Sequence, residues 1–141
     1  MNISARNIFR GTVSSIRKGA VNAEVVITLV SGSEIVSTIT VGAVDRLGLK
    51  EGMAASAIIK ASSIILGSNL HDAKMSARNI LCGTVTRVID GPVNCEVDLE
   101  IGDGDVLSAV ITHGSAEKLG FAEGSHACAI FKASSVIIGV E

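Results

Sequence analysis

The stretch VNAEVVITL, at Val21–Leu29, has apolar side chains at every second position, and the positions between them are polar except Val26. Alternation with a period of two predicts a β-strand that buries one face. The stretch VNCEVDLEI, at Val93–Ile101, keeps the apolar positions and makes the opposite face more polar. Two such strands in corresponding places prompt a comparison of the two halves of the chain.

The chain matches itself without a gap when it is shifted by 72 residues, and about 30 of 65 aligned positions are identical. The block SARNI occurs at Ser4–Ile8 and again at Ser76–Ile80, and KASS occurs at Lys60–Ser63 and again at Lys132–Ser135. Identity at this level indicates a duplication. It predicts a first domain at 1–67, a short polar linker at 68–74 and a second domain at 75–141.

Each half predicts about five strands and one short helix that follows the third strand. In the first half the remaining elements are an opening strand through Ile8–Ile16, a strand through Ile39, a helix at Ala43–Leu47 ended by Gly48, and strands at Met53–Lys60 and Ser63–Leu66. This order predicts a mainly β protein with two tandem OB-like five-stranded barrels, each with one short helix. Domains this small bury little surface, which favours an oligomer.

Composition excludes several classes of protein. The mean hydropathy is +0.52 and 48% of residues are hydrophobic, yet no apolar run reaches the roughly 18 residues of a membrane helix. No apolar signal core follows the N-terminal charges, so we expect a soluble cytoplasmic protein with no membrane association. The net charge of −2, with three Phe and no Trp or Tyr, argues against nucleic-acid binding.

No catalytic or metal-binding motif is recognisable. The cysteines are Cys82, Cys95 and Cys128, an odd number without close spacing, which predicts small unpaired thiols rather than a disulfide framework or a zinc site. The histidines have no counterparts in the first half: His71, His113 and His126. A duplicated catalytic histidine is therefore excluded, no nucleophile and base repeat together, and we predict that the protein is not an enzyme and coordinates no metal directly.

The duplicated polar positions form a set rich in hydrogen-bond donors. They are Ser4, Arg6, Asn7, Asn22, Thr40, Lys60 and Ser62, with the partners Ser76, Arg78, Asn79, Asn94, Thr112, Lys132 and Ser134. Such a set suits a small oxyanion, because guanidinium, hydroxyl and amide groups all donate to its oxygens. Thr40 and Thr112 also precede the short helix, whose first amides favour an anion. Structural roles at strand starts and turns, and a partner-binding surface, remain alternatives.

These blocks, in this order and twice, resemble the Mop domain, and two of them in one chain resemble the di-Mop molbindins. The resemblance rests on Ser-Ala-Arg-Asn, on Gly-Ala-Val-Asn-Ala-Glu-Val, on the Thr before the helix and on Lys-Ala-Ser-Ser. It implies OB-like barrels, a homotrimer, and molybdate or tungstate held by hydrogen bonds at subunit interfaces without a bond from protein to metal. It further implies intracellular molybdenum storage or homeostasis, with no organic cofactor.

The resemblance also implies an interfacial oxyanion site in each half. Its residues are Ser4, Ala5, Arg6, Thr40, Lys60, Ala61 and Ser62, together with Ser76, Ala77, Arg78, Thr112, Ser115, Lys132, Ala133 and Ser134. The first half has Ala43 where the second has Ser115, so one hydroxyl is missing there. The two halves are therefore expected to differ in affinity.

A second implied site lies near the threefold axis and uses backbone amides of one turn. In this chain the turn residues are Gly19, Ala20, Val21 and Asn22, and in the second half Gly91, Val93 and Asn94. Pro92 replaces Ala20 in the second half and cannot donate an N–H group.

Two other functions remain as alternatives. Mop domains also serve as oxyanion-sensing modules of regulators and transporter ATPases, and this chain would need a protein partner for that role. An OB-like barrel can also bind single-stranded nucleic acid, but that function normally brings stacking aromatic residues and a basic groove.

Overall fold

The computed structural model describes residues 1–70 and 73–141, so His71 and Asp72 of the predicted linker lie outside the described residues. The chain divides into two compact units. The first comprises Met1–Ile59 together with Lys132–Glu141, and the second comprises Lys60–Phe131.

Each unit contains a five-stranded curled sheet and one helix. The first unit contains β1 (Asn7–Lys18), β2 (Asn22–Leu29), β3 (Glu34–Thr40), α1 (Val41–Leu47), β4 (Ala54–Ile59) and β10 (Ile137–Gly139). The second unit contains β5 (Ile65–Gly67), β6 (Asn79–Asp90), β7 (Asn94–Gly102), β8 (Asp105–Thr112), α2 (His113–Leu119) and β9 (His126–Phe131). The prediction of a mainly β protein with two OB-like five-stranded barrels, each with one short helix, is confirmed.

The fifth strand of each barrel comes from the other sequence repeat. The strand order is β10-β4-β1-β2-β3 in the first unit and β5-β9-β6-β7-β8 in the second, with antiparallel pairing between neighbours. The ranges 1–67 and 75–141 thus describe the duplication, while the compact units exchange their last short segments. The exchange preserves the packing because the segments Lys60–Gly67 and Lys132–Gly139 are almost identical, reading KASSIILG and KASSVIIG.

A buried hydrogen bond joins β3 to the exchanged segment in the first unit. The hydroxyl of Ser37, which is fully buried, donates to the Val136 carbonyl at 2.7 Å. This bond lies between the two edge strands of the sheet and so helps to close the barrel. The second unit has a buried Ala109 in the place of Ser37, so its seam relies on apolar packing.

The alternating face of β2 forms the core as predicted, with one exception at its first position. Ala23, Val25, Ile27 and Leu29 are buried, but Val21 is 71% exposed. Its counterpart Val93 is 73% exposed as well, so the expectation that both valines point inward is wrong. The cause is register, because the first pair of the β2–β3 ladder is Asn22 with Thr40, and Val21 precedes it in the turn.

The second unit contains a disulfide bond between Cys82 and Cys128. The expectation of three unpaired thiols is therefore wrong for these two, while Cys95 is a free, buried thiol. The two cysteines are 46 residues apart in sequence, but the β6–β9 register places them directly opposite each other. In the first unit the corresponding pair is Arg10 with Ser56, so the duplication gave no sign of the bond.

The two helices are short and have defined ends. Thr40 and Thr112 are the N-cap residues, and Gly48 and Gly120 adopt left-handed backbone conformations at the C-termini, as the sequence predicts. Within the described residues, no helix is long and apolar enough to cross a membrane.

We expect Gly83→Ala to destabilise the second unit by about 2 kcal/mol or more, because overpacking against backbone has nowhere to relax. A Cβ at Gly83 would overlap the Glu100 carbonyl oxygen. Gly114→Ala is the control, since a Cβ there meets nothing within 4 Å and Ala favours a helix by up to about 1 kcal/mol. Urea unfolding measures both, and equal stability of the two variants would contradict the close approach of β6 to β7.

Candidate functional site

A cleft of about 380 Å³ in the second unit brings together residues from three separate parts of the chain. Four of its lining residues are polar and were predicted as site residues: Ser62, Asn94, Thr112 and Ser115. The others are aliphatic: Ile64, Ile65, Leu66, Val110, Ile111 and Leu119. The cleft is therefore a mostly apolar pocket with a few convergent hydrogen-bonding groups, which is typical of small-ligand sites.

Local structure fixes the hydroxyl groups of this cleft. Asn94 begins β7 directly opposite Thr112, the last residue of β8. The Thr112 hydroxyl accepts a hydrogen bond from the Ser115 amide at 3.1 Å and donates one to the Ser115 hydroxyl oxygen at 2.8 Å. Since Ser115 accepts that bond, its own hydroxyl proton can be donated to a ligand.

The corresponding cap in the first unit has one hydroxyl fewer. Thr40 lies opposite Asn22 and accepts a hydrogen bond from the Ala43 amide at 3.0 Å. Ala43 has no side-chain donor, so Thr40 retains its own proton for a ligand. The two units therefore present different donor sets at the same place in the fold.

The strand exchange decides which Lys-Ala-Ser block accompanies which threonine. The 3-10 turn Ala133–Ser135 packs against β3, which ends at Thr40. The 3-10 turn Ala61–Ser63 packs against β8, which ends at Thr112. Lys132, Ala133 and Ser134 thus belong to the first unit, and Lys60, Ala61 and Ser62 to the second.

The Ser-Ala-Arg-Asn block has two roles in the fold. Asn7 is 1% exposed, and its side-chain amide donates to the Ile59 carbonyl at 3.2 Å, which ties the start of β1 to the end of β4. Asn79 is buried in the same way at the start of β6. Ser4 and Arg6, like Ser76 and Arg78, are exposed, and Ala5 and Ala77 are half-buried.

The arginine of this block does not line the cleft of its own barrel. Arg78 immediately precedes β6, whereas Asn94 follows the turn at the opposite end of β6. A strand rises about 3.3 Å per residue, and β6 contains 12 residues. Arg78 and Asn94 therefore lie at opposite ends of β6.

The turn that was predicted to form the axial site is partly occupied by its own hydrogen bonds. The Gly19 amide donates to the Asn22 carbonyl at 2.7 Å, and the Val21 carbonyl accepts from the Val41 amide. In the second unit the Val93 carbonyl accepts from His113 in the same way. Gly19 therefore shapes the turn, and the amides of Ala20, Val21 and Asn22 are the remaining donors of the predicted set.

Sequence reasoning missed a polar cluster beside the second turn. The Asp90 carboxylate lies 2.8 Å from the Cys95 sulfur and 2.9 Å from His113 Nδ1, and that nitrogen lies 3.9 Å from the sulfur. His113 was set aside because the first half has no histidine there. The duplication gave no signal for the cluster, since the first half has Lys18, Ala23 and Val41 at these positions.

The hydrogen bonds of this cluster shift the pKa values of all three groups. The bonds from Cys95 and His113 lower the pKa of Asp90, because both donate to the carboxylate. The bond to Asp90 is also the main cause that raises the pKa of His113 and that of the Cys95 thiol. The cluster is therefore a coupled acid–base group at the end of the barrel.

Comparison with known proteins identifies the family of the chain. The TOBE domain matches residues 3–66 and again residues 75–138, which together make up most of both repeats. The chain belongs to the TOBE domain family. This tandem TOBE chain is 43% identical over 140 residues to the molybdenum-pterin-binding protein MopA of Rhodobacter capsulatus, a match that covers 99% of the chain and 53% of MopA.

The resemblance to the molbindins is confirmed by two further relatives. A probable molybdenum-pterin-binding protein of Haemophilus influenzae is 48% identical over 68 residues, which is 48% of the tandem TOBE chain and 99% of that protein. The molybdate-bound structure of the cytoplasmic molybdate-binding protein ModG superposes with a TM-score of 0.97 at 41% identity, over 100% of both chains. The chain spans about half the length of MopA, so it corresponds to only part of that protein.

The threonine caps can be separated experimentally from any role in ligand binding. We expect Thr40→Ala and Thr112→Ala each to reduce the free energy of unfolding by about 1 kcal/mol, because each removes the acceptor for a helix N-terminal amide. Thr→Ser at the same positions keeps the hydroxyl and should cost much less. Chemical denaturation that finds no difference between Ala and Ser would contradict the capping role.

Proposed function

We propose that this chain binds molybdate, with tungstate as the alternative oxyanion, at interfaces between copies of the chain and by hydrogen bonds alone. The observation that carries the proposal is the cleft in which Ser62, Asn94, Thr112 and Ser115 converge. ModG, which superposes over the whole chain, is a cytoplasmic molybdate-binding protein. We propose the same ligand and the same compartment for the tandem TOBE chain.

The chemistry of the cleft suits an oxyanion. Hydroxyl and amide groups donate from fixed positions, and the described residues that line it include no acidic side chain that would repel the ligand. The aliphatic residues exclude water, which strengthens each hydrogen bond to a charged ligand. A rigid ring of donors also discriminates by size, so that a larger tetrahedral dianion than sulfate fits best.

A dianion in this cleft needs positive charge, and two groups of the protein can supply it. Lys60 directly precedes the 3-10 turn that contains Ser62, within the same unit. The other source is the guanidinium of Arg6 or Arg78 from another copy of the chain, as the resemblance to the molbindins implies, and the arginine of the same barrel lies at the far end of its strand. An Arg fork can meet two ligand oxygens at once.

Exposed aliphatic side chains at equivalent positions support the assembly of several copies. Ile65 and Ile137 are 64% and 60% exposed, and Val21 and Val93 are exposed to a similar extent. Ile65 also lines the cleft. Apolar surface that recurs beside a candidate site is typical of an interaction surface. We propose a homotrimer that buries these residues and closes the sites.

The proposed role is storage and buffering of molybdenum, without catalysis. Binding by hydrogen bonds alone leaves the oxyanion intact, so that it can be released unchanged. A sensor that acts through a protein partner is the second candidate, because the related MopA is about twice as long as this chain and has residues for a further function.

Equilibrium dialysis against molybdate in a large excess of sulfate tests the function. We expect more than one tightly held molybdenum per chain, since the chain contains two barrels and each has a capping threonine, an asparagine and a Lys-Ala-Ser block. Bound molybdenum is counted by elemental analysis, because the absence of Trp and Tyr makes intrinsic fluorescence a poor probe. Light scattering on the same samples measures the number of chains in the assembly. Molybdenum retention that does not exceed the background in excess sulfate would overturn the proposal.

The arginines of the first block provide a sharper test. We expect the double variant Arg6→Ala with Arg78→Ala to lose interfacial molybdate while the assembly stays folded, because both arginines are exposed and contribute little to the core. The control is Arg17→Ala with Arg87→Ala, which removes the same charge from exposed positions within β1 and β6.

Arg→Lys at both positions separates charge from geometry. It keeps the positive charge and loses the fork, so we expect an intermediate affinity. If the Arg6→Ala and Arg78→Ala double variant binds as much molybdenum per chain as the unaltered protein, the arginines are not part of the site.

A further inference from the structure

We propose that Asp90, Cys95 and His113 form a binding site for a divalent transition metal ion of the zinc class. The three side chains offer one carboxylate oxygen, one sulfur and one imidazole nitrogen, all within 4.8 Å of one another. This site is separate from the oxyanion chemistry proposed above, and it stands or falls independently of molybdate binding.

The distances between the ligand atoms lie close to those around a tetrahedral ion, two of them shorter and one longer. Zinc bonds of about 2.0 to 2.3 Å place two ligands of a tetrahedron about 3.2 to 3.6 Å apart. The oxygen-to-sulfur, oxygen-to-nitrogen and nitrogen-to-sulfur distances are 2.8, 2.9 and 3.9 Å. Asp90 is exposed, so its carboxylate can withdraw by a few tenths of an ångström and open the triangle.

The cluster has the supporting hydrogen bonds that metal sites normally require. Glu117 lies 3.3 Å from His113 Nε2 and can hold the imidazole with Nδ1 directed at the ion. The backbone of Gly91 hydrogen-bonds to the Cys95 sulfur and so helps to fix its position. Two of the three candidate ligands are thus oriented by groups outside the triangle.

The ligand types select the kind of ion. A sulfur and an imidazole suit zinc or another late transition metal, whereas calcium and magnesium prefer oxygen alone. Three protein ligands leave a fourth position for water. Cys95 is 1% exposed, but Asp90 and His113 on the solvent side give the ion a route to its sulfur.

The first repeat has no such site and supplies the variants for the test. The positions of Asp90, Cys95 and His113 are occupied there by Lys18, Ala23 and Val41, in the same fold. Cys95→Ala and His113→Val therefore introduce residues that this barrel already accommodates. His126→Ala is the matched control, because His126 corresponds to Ala54 and lies outside the cluster.

A second group of metal-ligating side chains must be prevented from binding the added metal during the titration. Cys82, His126 and Cys128 also lie within 4.8 Å of one another. The disulfide removes both thiols as metal ligands while the protein stays oxidised. The titration is therefore done without reductant, on the full chain and without molybdate.

Cobalt(II) is the probe, because a sulfur-to-cobalt charge-transfer band in the near ultraviolet reports a bound thiolate. The absence of Trp and Tyr leaves that region nearly clear of protein absorption. We expect one cobalt per chain with the charge-transfer band, and displacement of the band by zinc.

Cys95→Ala should abolish the band, His113→Val should weaken binding at least tenfold, and His126→Ala should change neither. Glu117→Gln should reduce zinc affinity by about 10- to 100-fold through the imidazole it orients.

Two results would overturn the proposal. One is a failure of the oxidised protein to bind cobalt or zinc, which would leave the cluster as a hydrogen-bonded group without a metal. The other is a charge-transfer band that survives Cys95→Ala, because the sulfur would then come from elsewhere. Circular dichroism of each variant confirms that the comparison is made on folded protein.

Discussion

Each barrel of this chain depends on a short strand that comes from the other sequence repeat. β10 completes the sheet of the first unit, and β5 completes that of the second. Neither half of the sequence could therefore close its own barrel in this arrangement. The exchange costs little in packing energy, because the two exchanged segments are almost the same and make equivalent contacts. It also carries the Lys-Ala-Ser blocks across, so that each candidate site combines residues from both repeats.

Most of the fold could be predicted from local pattern, and the exceptions have physical reasons. Alternation placed Ala23, Val25 and Ile27 in the core, and the glycines after the short helices placed their ends, because both signals act within a few residues. The strand exchange could not be predicted, since identical segments give no preference between partners. The Cys82–Cys128 bond was hidden for a related reason, because only the long-range register of β6 with β9 brings the two residues together.

The sequence predicted which residue types form the candidate site, but not how the fold arranges them in space. Duplicated Ser, Thr and Asn residues identified most of the donors, and Ser62 of the first half lines one cleft together with Asn94, Thr112 and Ser115 of the second. Sequence could not separate Asn7, which is a buried structural amide, from Arg6 beside it, which is exposed. The difference arises from strand alternation at the start of β1. Neighbours in sequence thus differ in burial, and sequence alone does not show which of them reaches the surface.

Because the chain is duplicated, each barrel can be compared with the other at equivalent positions. Where they agree, as at Thr40 and Thr112, a common constraint acts on both, and here it is a helix cap whose oxygen is fixed by backbone hydrogen bonds. Where they differ, one barrel has been free to change without loss of the fold. The replacement of Lys18, Ala23 and Val41 by Asp90, Cys95 and His113 is the largest such change near a turn. It exchanges a basic residue for an acidic one and introduces sulfur and imidazole, while the order of strands and helix is the same in both barrels.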